Sequence, residues 1–285
     1  MAAFGRHYEI ELADDTLATG YPRGKKSLYA VGDEVKLNPD GQITGHGERR
    51  TLLYRSDAYR QKLIAANATQ LLLVVATDPS FSDMLLSRAL VAAEHEGLRP
   101  IIILNKCDLT PALAAARILL AKFEALGCRI IELSAKMDAS PLLPFLAGES
   151  SVLVGQSGMG KSTLTNALVP GATAPTREIS TALDTGKHTT TYARLYRLPH
   201  DTCPGGKLID SPGLQEFGLH HLTPQEIEFG FVEFRPFIGQ CRFRDCQHLA
   251  EPDCAIKAAA ASGAIHPRRL EHFRQFISES SHGSH

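Results

Sequence analysis

The hydrophobic rhythm of the chain changes twice. Residues 1–66 carry short runs in which apolar and polar positions nearly alternate: H-Y-E-I-E-L at 7–12, S-L-Y-A-V-G-D-E-V-K-L at 27–37 and Q-I-T-G-H at 42–46. N-P-D-G at 38–41 is a turn signal, and the stretch predicts short strands of a small all-β barrel or sandwich. From about residue 67 the runs become continuously apolar. They are L-L-L-V-V-A at 71–76, I-I-I-L-N at 101–105, R-I-I-E-L at 129–133, S-V-L-V-G at 151–155, A-R-L-Y-R-L at 193–198 and K-L-I-D at 207–210. Amphipathic stretches such as 82–97 and 111–126 lie between several of them, which predicts a parallel sheet with crossover helices. After about residue 222 the pattern turns helical. Pro267 suits the first turn of a last helix running through R-R-L-E-H-F-R-Q-F, and S-E-S-S-H-G-S-H at 278–285 reads as a disordered end. The expected division is 1–66, 67–221 and 222–285.

Composition narrows the setting. With 285 residues, 44% of them hydrophobic, the chain can build one sizeable core and smaller modules beside it. It has no uninterrupted apolar run of about 18 residues, and its N-terminus lacks the apolar stretch of a signal peptide. We expect a cytoplasmic protein with no membrane partner, acting as a monomer. Six cysteines in that reducing setting argue against a disulfide framework. The formal net charge of -1 gives no whole-chain support for a nucleic-acid partner, so any basic surface must be local.

Gly155-Gln-Ser-Gly-Met-Gly-Lys-Ser162 satisfies G-x-x-x-x-G-K-[ST] at each fixed position. It follows an apolar run and opens the helical pattern T-L-T-N-A-L, which is the context a phosphate-binding loop requires. Backbone N–H groups of Gly155, Gln156, Ser157, Gly158, Met159, Gly160 and Thr163 would surround the phosphates, aided by the helix N-terminus. Lys161 would reach the β- and γ-phosphates and act on the transferred group, and the Ser162 hydroxyl would bind Mg²⁺. This loop alone indicates a nucleoside triphosphate without choosing the base.

Asn105-Lys106-Cys107-Asp108 makes that choice. A carboxylate at Asp108 can accept from guanine N1–H and the exocyclic amine, whereas adenine would leave it unpaired. Asn105 would brace the loop and the Lys106 stem would pack along the base. Ser134-Ala135-Lys136 follows another strand run, where the Ala135 N–H could meet guanine O6. A lone N-K-x-D is as easily a solvated strand-end turn; three such loops at the ends of strands in one sheet favour a guanine nucleotide.

Asp210-Ser-Pro-Gly213 ends K-L-I-D. Asp210 is placed for a second Mg²⁺ contact, direct or through water, and the Gly213 N–H for the γ-phosphate. In G-K-H-T-T-T-Y at 186–192, Thr190 is the favoured third Mg²⁺ ligand, with Thr189 close behind, though a Thr run also suits an edge strand. The position after D-x-x-G, where many GTPases hold a water-orienting Gln, is Leu214. Slow intrinsic hydrolysis is expected. His188 is a substitute for that Gln or an ordinary loop His, with equal weight.

Cys241-x4-Cys246-x-His248-x5-Cys254 offers the ligand set of a closed structural zinc site, with no open position for catalysis. Cys107, Cys128 and Cys203 have no ligand partners nearby in sequence.

The motif order is N-K-x-D, S-A-K, phosphate loop, Thr run, D-x-x-G, which places the base reader upstream of the phosphate binder. With G-Q-S-G-M-G-K-S-T, H-T-T-T, D-S-P-G-L-Q-E-F-G-L, R-Q-K-x-I-A-A-N at 60–67 and the Cys/His cluster, this order resembles the RsgA (YjeQ) family of small-ribosomal-subunit-dependent GTPases. The resemblance covers nearly the whole chain. It implies an N-terminal OB-fold, here shorter than a full barrel, a circularly permuted GTPase domain and a mostly helical C-terminal zinc domain. It implies GTP/GDP, Mg²⁺ and one structural Zn²⁺. It also implies late maturation of the small ribosomal subunit, with that subunit and its rRNA as partners and hydrolysis stimulated by it. Permutation leads the D-x-x-G loop straight into the zinc domain, so we expect hydrolysis to drive release. The rival readings are a translation or tRNA-modification GTPase, an RNA-binding module with structural nucleotide, and an ATP-using kinase, which N-K-C-D disfavours.

Overall fold

The computed structural model describes residues 7–24, 28–56, 61–172, 174, 193–211 and 219–282. The apolar runs become one six-stranded sheet. Its strands are β7 (Gln70–Ala76), β8 (Arg99–Asn105), β9 (Arg129–Glu132), β10 (Ser150–Val154), β11 (Arg194–Arg197) and β12 (Lys207–Asp210), in the order β11-β12-β10-β7-β8-β9. β7 is central, and all seven of its residues are buried. Its one polar member, Gln70, is satisfied by donating to Phe145 O and Ser151 Oγ. β12, β10, β7, β8 and β9 run parallel. The expectation of an all-parallel sheet needs one correction, because β11 pairs antiparallel with β12. Among the described residues only one strand neighbours β11, and its residues are half-buried or exposed, so it escapes the two-sided burial that a parallel crossover strand requires.

Helices connect the strands as the amphipathic stretches predict: α1 (Asp83–His95), α2 (Thr110–Glu124) and α3 (Lys161–Leu168). Ser82 caps α1, its Oγ accepting from the Leu85 N–H, and Pro111 sits in the first turn of α2, where a missing N–H costs nothing.

The N-terminal stretch forms a four-stranded sheet of β1 (Tyr8–Glu11), β2 (Leu17–Pro22), β4 (Gln42–His46) and β3 (Val35–Leu37), in that spatial order. A separate hairpin joins β5 (Leu52–Ser56) to β6 (Gln61–Ala66), and the bridge Val31–Ala65 links it to the preceding chain. The four-stranded sheet has a small core of Tyr8, Ile10 and Ile43. Leu53, Ile64 and Ala65 of the hairpin instead pack into the large core beneath the six-stranded sheet.

The C-terminal part contributes α4 (Pro224–Gly230), a 3-10 turn at Val232–Phe237, α5 (Ala255–Ala261) and α6 (Pro267–His282). A capping box of Thr223 and Glu226 starts α4. Phe231, Phe234, Phe273 and Phe276 pack face to edge or tilted and join the same large core. Gly230 lets α4 approach α1 closely: a Cβ there would lie 2.7 Å from Val91 Cγ1. The disordered end expected from residue 278 is corrected as far as 282. α6 continues because Ile277 is buried and Glu279 pairs with Arg88 at 2.7 Å. Among the described residues no helix is long and apolar enough to cross a membrane.

Candidate nucleotide site and metal centre

The candidate loops meet where α/β folds place their ligands, beyond the carboxyl ends of the parallel strands. Asn105 ends β8, Gly155 follows β10, Asp210 ends β12, and Ser134 lies just beyond β9. Asn105 ties three of these loops together. Its side chain is 2% exposed. Its Oδ1 accepts from the N–H of Lys106 at 2.8 Å and of Ala135 at 2.9 Å, while its Nδ2 donates to Met159 O at 2.9 Å. One amide therefore fixes the base-reading loop, the Ser134–Lys136 loop and the phosphate loop relative to one another. The Ala135 N–H, expected to face guanine O6, donates to Asn105 in this structure.

Lys106 adopts a left-handed backbone, φ +61°, which turns the chain sharply after β8. Thr77 Oγ1 donates to Lys106 O, and Lys106 Nζ donates to Asp78 O at 2.6 Å. Asp108, at the start of the following turn, is exposed. Ser134 O accepts from the N–H groups of Met137 and Asp138, which closes the loop carrying the exposed Lys136.

In the phosphate loop Gly155 passes so close to β7 that a Cβ would collide with Val74 O. Gly160 has φ +92°, and a Cβ there would strike the Asn105 amide. Gly158 is also left-handed, Met159 is buried, and Gln156 Oε1 accepts from the Ser82 N–H at 2.8 Å. Lys161 folds back, its Nζ donating to Gly155 O and Gln156 O. Burial pushes its pKa down, and the nearby Asp210 opposes that shift. Burial raises the Asp210 pKa to about 6, with Lys161 pulling the other way. Ser157 is exposed, and Ser162 and Thr163 are half-buried at the start of α3. The Ser162 hydroxyl and Asp210 carboxylate are hard oxygen donors, the chemistry that Mg²⁺ selects. His188, Thr189, Thr190, Gly213 and Leu214 lie outside the described residues.

The second centre is Cys241, Cys246, His248 and Cys254, whose ligand atoms all lie within 4.8 Å of one another. A tetrahedral zinc with bonds of about 2.3 Å to sulfur and about 2.0 Å to nitrogen needs S···S edges of about 3.8 Å and S···N edges of about 3.5 Å. Cys241 and Cys254 sulfurs are 3.8 Å apart, and His248 Nδ1 lies 3.5, 3.5 and 3.2 Å from Cys241, Cys246 and Cys254. The residues fit the metal. His248 Nε2 meets Glu228 Oε1 at 2.8 Å, a carboxylate that fixes the ring for ligation through Nδ1. Glu228 stands twenty residues away on α4, and no spacing rule in the sequence points to it. Cys107, Cys128 and Cys203 are outside the cluster, and burial raises the pKa of each.

A cavity of about 530 Å³ lies at the opposite end of the sheet, lined by Gln70, Arg99 and Arg129 at the strand starts. It touches none of the loops above, and the strand-end geometry outweighs its size.

Residues 46–220, which hold the nucleotide loops, match the family described as RsgA GTPase. The chain belongs to that family. A small ribosomal subunit biogenesis GTPase RsgA of Burkholderia pseudomallei is 54% identical over 99% of this chain and 91% of its own length. One of Ralstonia pickettii is 51% identical over 98% and 91%. Among solved structures, YjeQ from Thermotoga maritima superposes with a TM-score of 0.72 at 31% identity, covering 96% of this chain and 94% of its own. YloQ, described as a circularly permuted GTPase, gives 0.68 at 25% identity, covering 98% and 93%. The RsgA motif order is thus set on one sheet, where the loops after β8 and β9 come before the loop after β10. Membership makes this RsgA chain a GTPase, in which the nucleotide is GTP or GDP and the metal at the phosphates is Mg²⁺.

Proposed function

We propose that this chain is a GTPase of small-ribosomal-subunit biogenesis that hydrolyses GTP on the subunit and leaves it as GDP forms. The observation that carries the reading is the Asn105 amide, which joins both base-reading loops to the phosphate loop. Such a site accepts a guanine base and its phosphates as one unit. The printed names of the Burkholderia and Ralstonia relatives supply the subunit.

In this reading Asp108 selects guanine, the glycine-rich loop and Lys161 hold the phosphates, and Ser162, Asp210 and Thr190 hold Mg²⁺. That ion would neutralise charge developing between the β- and γ-phosphates. Lys161 needs only to swing from two loop carbonyls to the phosphate oxygens. Leu214 cannot orient a water, so His188 or a group of the subunit does, and hydrolysis is slow until the subunit is present. The three-part division at 66 and 221, with an OB-like first part and a zinc-stapled last part, supplies two surfaces for rRNA flanking the GTPase sheet. The protein works as a cytoplasmic monomer. γ-Phosphate orders the Thr run and the D-x-x-G loop, which lie directly upstream of β11 and α4, so nucleotide state sets the pose of the outer parts.

The test is subunit affinity in GDP against a non-hydrolysable GTP analogue. The GTP form should bind at least tenfold more tightly. Equal affinities would contradict release by hydrolysis, because a ligand indifferent to two states shifts neither.

A further inference from the structure

Outside the two centres the described residues hold a charge cluster at the start of α1, in which Asp83 and His272 are buried and Arg268 is half-exposed. We propose that Asp83 is a positioning residue for the nucleotide site, through which the C-terminal helix α6 steadies the phosphate loop. The inference rests on reading 155–163 as that loop.

Asp83 is the first residue of α1 and is 8% exposed. Its carboxylate takes Lys122 Nζ of α2 at 3.0 Å, and Arg268 of α6 through Nε at 3.2 Å and Nη2 at 3.3 Å. Burial works against ionisation, but the two cations outweigh it and hold the carboxyl at about 2. One turn further along α6, His272 Nδ1 meets Ser87 Oγ at 2.8 Å, one turn further along α1. His272 Nε2 approaches Asp83 Oδ1 at 3.4 Å without hydrogen-bond alignment. α6 therefore holds α1 at two successive turns, and the first of them is the helix start.

The residue before Asp83 meets the phosphate loop. Ser82 donates its N–H to Gln156 Oε1, and Gln156 O accepts from Lys161 Nζ. From Arg268 to the phosphate-binding lysine the path is a sequence of hydrogen bonds and one peptide link. The same segment reaches the base loop, since Asp78 O accepts from Lys106 Nζ and Thr77 Oγ1 donates to Lys106 O. Shifting the start of α1 displaces an acceptor or donor of both nucleotide loops together. A helix that only filled space would pack on α1 without gripping the turn that caps it.

Adjacency alone does not carry energy between sites, so the experiment measures coupling. Affinity for a fluorescent GDP analogue is compared in the full chain for wild type, Asp83→Asn, Gln156→Leu, the double variant, and Glu279→Gln. Glu279 pairs with Arg88 near the far end of α6, so its substitution loosens α6 away from Ser82. Asp83→Asn should weaken binding about fivefold or more, the lower range of allosteric couplings. The double variant should bind no worse than the weaker single one, and Glu279→Gln should stay within about twofold of wild type even if its Tm falls as far. Unchanged affinity in Asp83→Asn, multiplying effects in the double variant, or equal weakening by Glu279→Gln each overturns the proposal. If Asp83→Asn does not fold, the reciprocal measurement uses wild type. GDP should slow amide exchange in residues 268–276 of α6, and unaltered exchange overturns the proposal. Wild type that binds no GDP analogue overturns the nucleotide reading as well. Tight wild-type binding with an unchanged Asp83→Asn overturns this inference alone.

Discussion

The nucleotide loops and the Cys/His cluster are both made of irregular chain, yet they are held by different means. The loops after β8 and β10 are anchored at the ends of buried parallel strands, and the Asn105 amide locks them to each other and to the loop after β9. The segment 238–254 has no strand beneath it, and of its residues only His248 and Cys254 are buried. Its inward anchors include the ligand set itself, Glu228 behind His248, Arg274 donating to His248 O and Leu249 O, Lys257 Nζ donating to Glu251 O, and the packing of Ile238, Cys241, Cys246 and Cys254 against the edge of the large core. A sheet makes loops rigid in proportion to the core below them. A metal does so with less core, at the expense of depending on one ion.

That difference predicts a hierarchy of losses. Metal removal should be the largest. Structural zinc contributes on the order of 10 kcal/mol in small zinc modules, so chelation or Cys246→Ser should release the metal and unfold the 241–254 segment. Metal analysis and amide exchange read this out, and GDP should still bind. A 241–254 segment that keeps its protection without metal would erase the contrast. Next comes Asn105→Ala. Losing buried hydrogen bonds to two N–H groups and one carbonyl costs roughly 3 kcal/mol, or about a hundredfold in nucleotide affinity, with the fold retained. Titration with a fluorescent GDP analogue checks it; a change under about threefold would mean the loops are held by their strands alone. Gly160→Ala should match it, because its Cβ lands on that amide.

A smaller effect concerns acid. Burial pushes the His272 pKa down to about 4, with nearby Arg268, Arg269 and Lys122 adding to the shift against Asp83. A neutral buried His stabilises fully above its unfolded value near 6.5, and that stability is lost as pH falls from there towards 4. The loss should be about 2–3 kcal/mol, seen as a falling Tm and flattened in His272→Gln. Asp83 stays ionised across that window, and burial also lowers His221 to about 4, so only the part of the slope that His272→Gln removes belongs to His272. The smallest effect belongs to the seam between the N-terminal sheet and β11. Arg197 pairs there with Glu11, and with Asp15 at 3.0 Å, but is 61% exposed. Arg197→Ala should cost under about 1 kcal/mol by denaturant titration.

Legibility in the sequence follows the same division. The strands β7, β8 and β10 read directly, since residues buried on both faces leave an unbroken apolar run. The metal ligands read directly because four of them fall within a short span. β11 reads as a strand, but its antiparallel pairing does not, because A-R-L-Y-R-L alternates in the same way in either direction. The N-terminal strands were legible as a group, while the hairpin's attachment to the large core was not. Leu53 and Ile64 look like any small-barrel residues until the sheet is in place. Asn105 was legible as a brace, but not the atoms it joins, which lie thirty and fifty-four residues away. Glu228 and Asp83 were invisible for the same reason: an acid on a helix is ordinary until the fold brings His248 or Arg268 against it. The Thr run and D-x-x-G loop remain expectations of the sequence.

The most direct test of the account is multiple-turnover GTP hydrolysis, with ATP as control, in the presence and absence of purified small ribosomal subunits. The account predicts slow GTP turnover alone, strong stimulation by the small subunit, and no comparable ATP turnover. GTP hydrolysis that small subunits leave unchanged would contradict it.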